Sequence, residues 1–315
     1  MNAPAITQLA PVLEAGGERL AELIARTEAR LEEVMAGHGE PLASFAGQTL
    51  GAGGKRLRPM LVYICGGETW SEEIVRAGVA VELLHMATLV HDDVLDGAAL
   101  RRGRPTVFAQ CGRGAATATG DFLFSRAFAE LCSTGSPEAV RVLSSASSAL
   151  ARGELAQRAD AWSTDVTVER YLERCELKTA RLFEAACRLG DHRLGAFGNR
   201  IGVAFQIFDD VLDVSGPAER TGKARGTDLL DGTVTLPLIL ARARDPELRT
   251  LDVRRDASID EVCDRIAATG ALEDARAKAL EYVADAKALL GELDLSERQS
   301  RTLELVADGV VERYA

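Results

Sequence analysis

The spacing Asp-Asp-x-x-Asp occurs twice in this 315-residue chain, each time at the end of an apolar stretch. The two copies, here called the first and second aspartate clusters, are Asp92, Asp93 and Asp96, and Asp209, Asp210 and Asp213. If each stretch is a helix, the first and last aspartates of a cluster share one face. One cluster alone is typical of a solvated acidic helix end, but two favour metal binding, because crowded carboxylates need cations and oxygen ligands suit Mg²⁺. The pair predicts a helical bundle whose clusters face each other and hold several Mg²⁺ ions and one polyphosphate.

The apolar pattern of the chain is helical. From Val79 to Val90, just before the first cluster, apolar residues recur at helical spacing. Residues 13–35 predict a long amphipathic helix, and residues 195–214 predict the helix of the second cluster. No sustained run alternates β-branched with polar residues, and the dipeptides typical of hairpins are absent. The predicted fold class is therefore all-α.

Two short basic segments oppose the formal net charge of −11, which itself argues against nucleic acid as a partner. Residues 51–59 place a glycine loop directly before Lys55, Arg56 and Arg58. Amides at a helix start together with cations predict an anion site, although a basic loop that only caps a helix is an alternative. A Walker loop is excluded because it needs Ser or Thr where Arg56 stands. The second segment, Arg101–Arg102, follows the first cluster and suits bidentate contacts to phosphate.

The remaining composition indicates a cytoplasmic protein. None of the six cysteines forms a Cys-x-x-Cys pair, which argues against zinc and favours buried free thiols. The N-terminus lacks the basic and apolar regions of a signal peptide, and no apolar run reaches the roughly 18–20 residues of a membrane span. We expect a single domain over residues 1–315, with residues 1–10 poorly ordered.

Five segments in a fixed order carry a resemblance to a known family. They are Gly53-Gly54-Lys55-Arg56-Leu57-Arg58-Pro59, the first aspartate cluster with Arg101-Arg102-Gly103, Lys178-Thr179, Phe205-Gln206 with the second aspartate cluster, and Gly222-Lys223 with Gly226-Thr227-Asp228. Across residues 40 to 240 the chain resembles the trans-isoprenyl diphosphate synthases of the polyprenyl synthetase family. The resemblance implies a single large helical bundle of the isoprenoid synthase type around a deep central cavity, usually as a homodimer.

The resemblance also implies the reaction and its residues. Isopentenyl diphosphate condenses with an allylic diphosphate to give an all-trans polyprenyl diphosphate, and diphosphate is released. The implied ligands of three Mg²⁺ ions are Asp92, Asp93, Asp96, Asp209, Asp210 and Asp213. The implied catalytic residues are Asp92, Asp93, Asp96, Lys178, Asp209 and Asp210. The implied substrate-binding residues are Lys55, Arg58, His85, Arg101, Arg102, Lys178, Thr179, Gln206 and Lys223.

Three other functions remain alternatives at this point. A geranylgeranyl diphosphate synthase would differ only in product length. A terpene cyclase would show a different second metal motif and would not need the basic loop. A non-catalytic subunit of a heteromeric synthase would show degraded aspartate clusters, and both are intact here. One position departs from the family: Thr233 stands where many members have a lysine, which removes one phosphate-facing cation.

The predicted product length rests on the helix before Asp92. The residues four and five positions earlier are Thr88 and Ala87, where short-chain members commonly place an aromatic ring. Small side chains there would let the tail pass toward Leu84, so we expect six or more isoprene units, in a product passed to a membrane. Deeper candidates for the end of the tunnel are Val81, Phe122, Phe124 and Phe128. The alternative is that Ala87 is small only because two helices pack closely.

Overall fold

Helices form nearly all of the regular structure in this computed structural model, which describes residues 3–216, 225–251 and 258–312. The helices of the first half are α1 (Ala3–Ala36), α2 (Leu42–Gly51), α3 (Leu57–Cys65), α4 (Glu72–Leu95), α5 (Val107–Cys132) and α6 (Pro137–Ala159). Those of the second half are α7 (Val168–Cys175), α8 (Arg181–Gly190), α9 (Gly195–Ser215), α10 (Thr227–Leu230), α11 (Leu236–Arg244), α12 (Glu247–Thr250), α13 (Ile259–Ala268), α14 (Ala271–Leu290) and α15 (Glu297–Glu312). A π-helical segment, Glu176–Ala180, joins α7 to α8, and a 3₁₀ turn, His192–Leu194, precedes α9. The all-α prediction is confirmed.

The helices surround one contiguous core of buried apolar side chains that runs from α1 to α15. The central helix α4 packs against α1, α3, α5 and α8, while α9 packs against α8 and α14. By length and composition α4 could cross a membrane, but most of its apolar stretch is buried inside the protein, as expected of a core helix. Helix α1 begins at Ala3, within the ten residues for which the sequence predicts little order.

Both aspartate clusters lie at the C-terminal ends of core helices. The side chain of Ser71 accepts a hydrogen bond from the backbone N–H of Ile74 (3.2 Å) and caps α4, which ends at Leu95 within the first cluster. Helix α9 carries the second cluster near its end at Ser215. The C-terminus of a helix carries partial negative charge, so carboxylates there are unfavourable without nearby cations. Their position is therefore better explained by function than by stability.

A short hairpin departs from the all-helical expectation. Strands β1 (Leu100–Arg101) and β2 (Arg104–Pro105) pair in antiparallel fashion directly after the first cluster. The turn residues Arg102 and Gly103 have positive φ angles of 53° and 74°. Two positive φ angles favour a tight hairpin turn, but they are usually supplied by Asn, Asp or Gly. The sequence does not predict this hairpin because arginine gives no indication of that conformation.

Candidate active site

A polar cavity of about 590 Å³ brings the predicted residues together. Both clusters contribute to its wall through Asp92 and Asp209. The other predicted residues on the wall are Lys55, Arg58, His85, Thr88, Arg101, Arg102, Lys178, Thr179 and Gln206. These residues come from both halves of the sequence, so the cavity joins carboxylates and cations that the chain keeps far apart. Lys223, the remaining predicted substrate-binding residue, lies outside the described residues.

The basic loop is anchored from below by a residue that the sequence places among the anion-binding cations. Arg56 has a left-handed backbone (φ 50°) at the start of α3 and is 5% exposed. Its guanidinium donates to Glu28 (2.5 Å) and to Glu82 (2.8 Å). Arg56 also lines the cavity, so the prediction that three cations of this loop serve the anion stays a prediction, although this guanidinium already balances two carboxylates. Its role is to hold the loop that presents Lys55 and Arg58 to the cavity.

Two further cavity residues are conditioned by their neighbours. The guanidinium carbon of Arg58 lies 4.7 Å from the centre of the Phe183 ring, a cation–π contact that orients the arginine. Burial lowers the pKa of His85 well below its ordinary value, and the positive charges of Arg58 and Arg102 lower it further. At neutral pH His85 is therefore a neutral imidazole, able to donate from one nitrogen and accept at the other.

The first cluster is balanced by cations. Arg101 donates from Nε to Asp93 Oδ1 (2.7 Å), and Asp93 is only 5% exposed. Arg158 donates from Nη2 to Asp96 Oδ1 (2.5 Å). Burial raises the pKa of Asp92 to about 6, an effect that the positive charge of Lys178 reduces. The cluster is thus held by charged partners at Asp93 and Asp96, while burial makes the Asp92 carboxylate costly to ionise.

Within the second cluster, Asp210 is held by neutral hydrogen-bond donors. Asp210, 3% exposed, accepts hydrogen bonds from the Tyr171 hydroxyl (2.7 Å) and from the side-chain amide of Gln206 (2.7 Å). Burial raises the pKa of Asp210 well above its ordinary value, and the charge of Asp228 raises it further. Asp213 accepts from the backbone N–H of Asp228 (3.2 Å) and so supports the start of α10. These two aspartates are occupied with structural partners.

The cavity offers ligands suited to a divalent cation but not a preformed metal site. Within residues 3–216, 225–251 and 258–312, no three carboxylate, imidazole or thiol side chains converge as metal ligands. Oxygen donors from Asp92 and Asp209 on one cavity wall nevertheless fit a hard divalent metal ion, which prefers oxygen ligands and retains water. The predicted roles of Asp93, Asp96, Asp210 and Asp213 as ligands stay predictions, since each has the protein partner described above.

Lys178 lies in the π-helical segment and has a partner that no motif predicts. Its ammonium group lies 2.5 Å from Glu154 of α6. Thr179 donates its hydroxyl hydrogen to the side-chain oxygen of Gln206 (2.6 Å). The sequence predicts a regular helix over residues 167–188, which would orient Lys178 and Thr179 differently from the π-helical segment. A π-helical turn contains an extra residue and is a common feature of functional sites. Sequence periodicity cannot detect one inserted residue within an otherwise helical pattern.

A second, apolar cavity of about 560 Å³ adjoins the polar one. The two share Thr88, Asp92, Leu150 and Lys178 as wall residues. Two of the three predicted chain-length residues, Leu84 and Thr88, line the apolar cavity. Ala87 is fully buried and lines neither cavity, so its assignment as a chain-length residue is corrected. The reason is helical: adjacent positions lie about 100° apart around α4, and the wall is formed by the face of Leu84, Thr88 and Asp92.

Of the residues predicted to end the tunnel, one lines the apolar cavity and the others do not. Phe124 lines the apolar cavity, and its ring lies 5.3 Å from that of Phe128 behind it. Phe122 instead packs edge to face on His38, with ring centres 4.9 Å apart, and lines neither cavity. Val81 is fully buried in the core. Phe124 is therefore the predicted aromatic residue best placed to limit the tail.

Thr233 does not line either cavity. Its backbone N–H donates to the carbonyl oxygen of Asp228 (2.8 Å), and the preceding residue, Gly232, accepts from the backbone N–H of Trp162 (2.9 Å). Thr233, which replaces the common lysine, therefore lies in a loop that is held by backbone hydrogen bonds.

Comparison with known proteins places this site within a family. The sequence model described as Polyprenyl synthetase matches residues 40–267. The chain is 37% identical over 302 residues to the protein named heptaprenyl diphosphate synthase component 2 from Geobacillus stearothermophilus, covering 91% of this chain and 94% of that protein.

Solved structures agree with the sequence comparison. The decaprenyl diphosphate synthase from Rhodobacter capsulatus matches with a TM-score of 0.88 and 32% identity, over 95% of this chain and 98% of that chain. The polyprenyl synthase from Caulobacter crescentus, complexed with calcium and isoprenyl diphosphate, matches with a TM-score of 0.84 and 33% identity, over 95% of this chain and 98% of that chain. The similarity therefore covers the whole fold and not only the aspartate motifs.

Proposed function

Because the chain belongs to the polyprenyl synthetase family, we propose that it uses Mg²⁺ to extend an allylic diphosphate with isopentenyl diphosphate to six or more isoprene units. The reaction class is prenyl transfer. The observation that carries the proposal is the junction of two cavities, a polar one of about 590 Å³ and an apolar one of about 560 Å³. Each lies within the size range of small-molecule sites, so the first suits the diphosphates and the second suits the growing tail.

The cations of the polar cavity divide between two diphosphates. Arg101 and Lys178 lie beside the first aspartate cluster and would hold the allylic diphosphate. Lys55 and Arg58 belong to the basic loop and would hold isopentenyl diphosphate. Arginine and lysine neutralise the diphosphate oxygens and fix their positions. Two separately bound diphosphates allow the double bond of one substrate to approach the first carbon of the other.

Asp92 and Asp209 would hold Mg²⁺, with the other four aspartates of the clusters in support. The number of ions proposed is three, as the family resemblance implies. When bound, Mg²⁺ supplies neutralisation of the charge that develops on the departing diphosphate. The protein cations Arg101 and Lys178 act in the same direction, because they stabilise charge that forms as the allylic carbon–oxygen bond breaks.

The apolar cavity has the further task of excluding water from the allylic cation. Its wall includes Leu84, Leu150 and Leu155, and it begins at Thr88 beside the metal-binding end. Water at this position would quench the cation to an alcohol before the isopentenyl double bond could attack. The proton lost after attack is proposed to pass to the released diphosphate, the nearest strong acceptor of the reaction itself.

A long product is supported by the cavity wall. Thr88, on the wall nearest the diphosphate end, has a small side chain, and the first aromatic residue of the α5 wall is Phe124. Two of the three similar proteins named above are a heptaprenyl and a decaprenyl diphosphate synthase. A geranylgeranyl product would require a bulky side chain at the position of Thr88, which both cavities share.

The homodimer is proposed on the faces of α5 and α6. Phe124 and Leu155 are 38% and 71% exposed, although both line the apolar cavity. An apolar cavity that reaches the surface is unfavourable in water, and a second copy packed on α5 and α6 would cover it. Equilibrium sedimentation should give a mass twice that of the chain.

The name of one similar protein, heptaprenyl diphosphate synthase component 2, makes a second subunit the main alternative. The test is turnover by the purified chain alone, with Mg²⁺, radiolabelled isopentenyl diphosphate and farnesyl diphosphate as the allylic starter. Chromatography of the dephosphorylated products should show chains of six or more isoprene units. A product of four units would make the chain a geranylgeranyl diphosphate synthase, and no turnover would favour a heteromeric enzyme.

A further inference from the structure

Two residues of α6 connect Lys178 to the first aspartate cluster. Glu154 Oε2 lies 2.5 Å from the Lys178 ammonium nitrogen. Glu154 Oε1 accepts from Nε of Arg158 (2.8 Å), and Nη2 of the same arginine donates to Asp96 Oδ1 (2.5 Å). The result is a continuous series of ion pairs in the order Lys178, Glu154, Arg158, Asp96. Neither Glu154 nor Arg158 belongs to the sequence motifs that predict the site.

The backbone brings this series together by close packing. A Cβ atom added at Gly153 would lie 2.6 Å from the backbone nitrogen of Lys178, so only glycine permits this approach of α6 to the π-helical segment. On the other side, a Cβ added at Gly202 of α9 would lie 2.5 Å from the Cα atom of Ala180. The π-helical segment is therefore packed between α6 and α9. This packing places Glu154, which follows Gly153, against the side chain of Lys178.

The pKa values of Glu154, Arg158 and Lys178 are each shifted in the direction that keeps the side chain charged. Burial raises the pKa of Glu154, but Lys178 and Arg158 lower it more, so the net shift is downward. Burial lowers the pKa of Arg158, but hydrogen bonds to Glu154 and Asp96 raise it above its ordinary value. Burial lowers the pKa of Lys178, but the negative charges of Asp92 and Glu154 outweigh burial and raise this pKa overall. The contacts are thus ion pairs.

This arrangement conflicts with the proposed chemistry at both ends. Lys178 is needed by the allylic diphosphate, yet it is paired with Glu154. Asp96 is needed by the metal, yet it is paired with Arg158. If both end residues leave, Glu154 and Arg158 still have each other at 2.8 Å. Release therefore leaves no partly buried charge uncompensated, which is the costly outcome when one member of an ion pair is removed.

We propose that Glu154 and Arg158 are a positioning pair that holds Lys178 and Asp96 in place until diphosphate and metal take them over. The inference rests on the proposed function, because it needs both ligands. The pair also couples its two ends. When a metal ion binds Asp96, Arg158 loses that partner and pairs with Glu154 alone. Glu154 then binds Lys178 less strongly, because more of its negative charge is balanced by Arg158.

The coupling predicts opposite effects on the two ligands. If Arg158 is lost, Asp96 is released to the metal, while Glu154 keeps only Lys178 and holds it from the diphosphate. If Glu154 is lost, Lys178 is released to the diphosphate, while Arg158 keeps only Asp96 and holds it from the metal. A change of local charge alone produces the same signs, so the decisive variant must preserve charge.

Arg158→Lys is that variant. Arginine uses two separate nitrogens, Nε for Glu154 and Nη2 for Asp96, whereas lysine has one nitrogen on a flexible chain. The experiment titrates the metal-free purified protein with Mg²⁺ by calorimetry, and with inorganic pyrophosphate at saturating Mg²⁺. Arg158→Gln and Glu154→Gln are compared with it. The matched control is Arg152→Gln, which removes the same charge from an exposed position of α6.

For Arg158→Lys we expect Mg²⁺ to bind about two- to fivefold more tightly and pyrophosphate about two- to fivefold more weakly, the size of an exposed ion pair. Glu154→Gln should show the reverse, and the Michaelis constant of the allylic substrate should follow the pyrophosphate affinity. If Arg158→Lys matches the wild type while Arg158→Gln and Arg152→Gln shift alike, the effect is only the local field and the proposal is wrong. Weakening of both ligands, or a change in one alone, also overturns it.

The proposed function can fail independently of this pair. Turnover of isopentenyl diphosphate by the wild type tests the function, whereas calorimetry with Mg²⁺ and pyrophosphate tests the pair without any reaction. Opposite changes in the affinities for Mg²⁺ and pyrophosphate, here called crossed changes, would support the positioning pair even in a chain that shows no turnover. The absence of turnover would contradict the proposed function. Turnover by the wild type without crossed changes would do the opposite.

Discussion

The two aspartate clusters have the same spacing and end two core helices, yet they are compensated in different ways. In the first, Asp93 and Asp96 pair with Arg101 and Arg158. In the second, Asp210 accepts from a tyrosine hydroxyl and from the amide of Gln206. A cationic partner lowers the pKa of a carboxyl group, and so does a neutral hydrogen-bond donor; at Asp210 burial outweighs both neutral donors and raises the pKa. The same motif thus meets cations on one side of the cavity and, at Asp210, neutral hydrogen-bond donors on the other.

The largest expected effect comes from the one aspartate of each cluster that lines the polar cavity. Asp92→Asn or Asp209→Asn should lower kcat by about a hundred- to a thousandfold, since each removes charge that matters most as the diphosphate departs. Circular dichroism should show an unchanged fold. Asp165→Asn, at an exposed site, serves as the control. Turnover within tenfold of the wild type in either variant would break the two-cluster account.

The second test separates activity from stability. Tyr171→Phe removes a donor to the buried Asp210 and should destabilise the fold by about 1–3 kcal/mol, measured by urea unfolding. Because Asp210 does not line the cavity, kcat should stay within about threefold. Tyr282→Phe, at a partly buried position on α14, is the matched control. A fall in kcat well beyond threefold would mean that Asp210 serves catalysis as Asp92 and Asp209 do, and that the two clusters do not differ in role.

The third test uses pH on the first cluster, without metal. The pKa of Asp92 is about 6 in the folded protein against 3.8 in the unfolded chain. The folded state therefore binds the proton more readily, and stability falls as pH rises through this window and stays lower above it. Asp92→Asn lacks this cost, so in EDTA it should be more stable than the wild type by about 1–2 kcal/mol at pH 8. Below pH 4 the difference should vanish; an equal difference at both pH values would contradict the assignment.

The smallest effect should come from a region outside both clusters. Arg58→Ala should raise the Michaelis constant for isopentenyl diphosphate about tenfold, because a charged contact to phosphate is lost. The constants for the allylic substrate and for Mg²⁺ should stay near wild type. An equal or larger effect on the allylic substrate would refute the division of the cavity into two diphosphate sites.

The helices and the clusters follow from the sequence because both are local patterns. Apolar spacing predicts α4 and α9, and the Asp-Asp-x-x-Asp repeat marks their ends. The basic loop is predicted by its glycines and cations. The hairpin at Arg102 and the π-helical segment at Lys178 are not, since each depends on a backbone conformation that its residues do not favour on their own.

The partners of the site residues could not be predicted, because they come from other helices. Nothing local marks Tyr171 as the partner of Asp210, or Glu82 as a partner of Arg56. Glu154 and Arg158 have the spacing of an ordinary surface ion pair on a helix. The distance of Ala87 from Asp92 along the chain does not place it on the tunnel wall, because a wall position depends on direction around α4.

The central claim is that the polar and apolar cavities form one site, joined at Thr88. The most direct measurement is the product length of Thr88→Phe, compared with Thr250→Phe at an exposed position of α12 that lines neither cavity. The account predicts a product shortened to three or four isoprene units in Thr88→Phe, with the first condensation preserved and the control unchanged. An active Thr88→Phe variant with wild-type product length would show that the tail does not enter the apolar cavity.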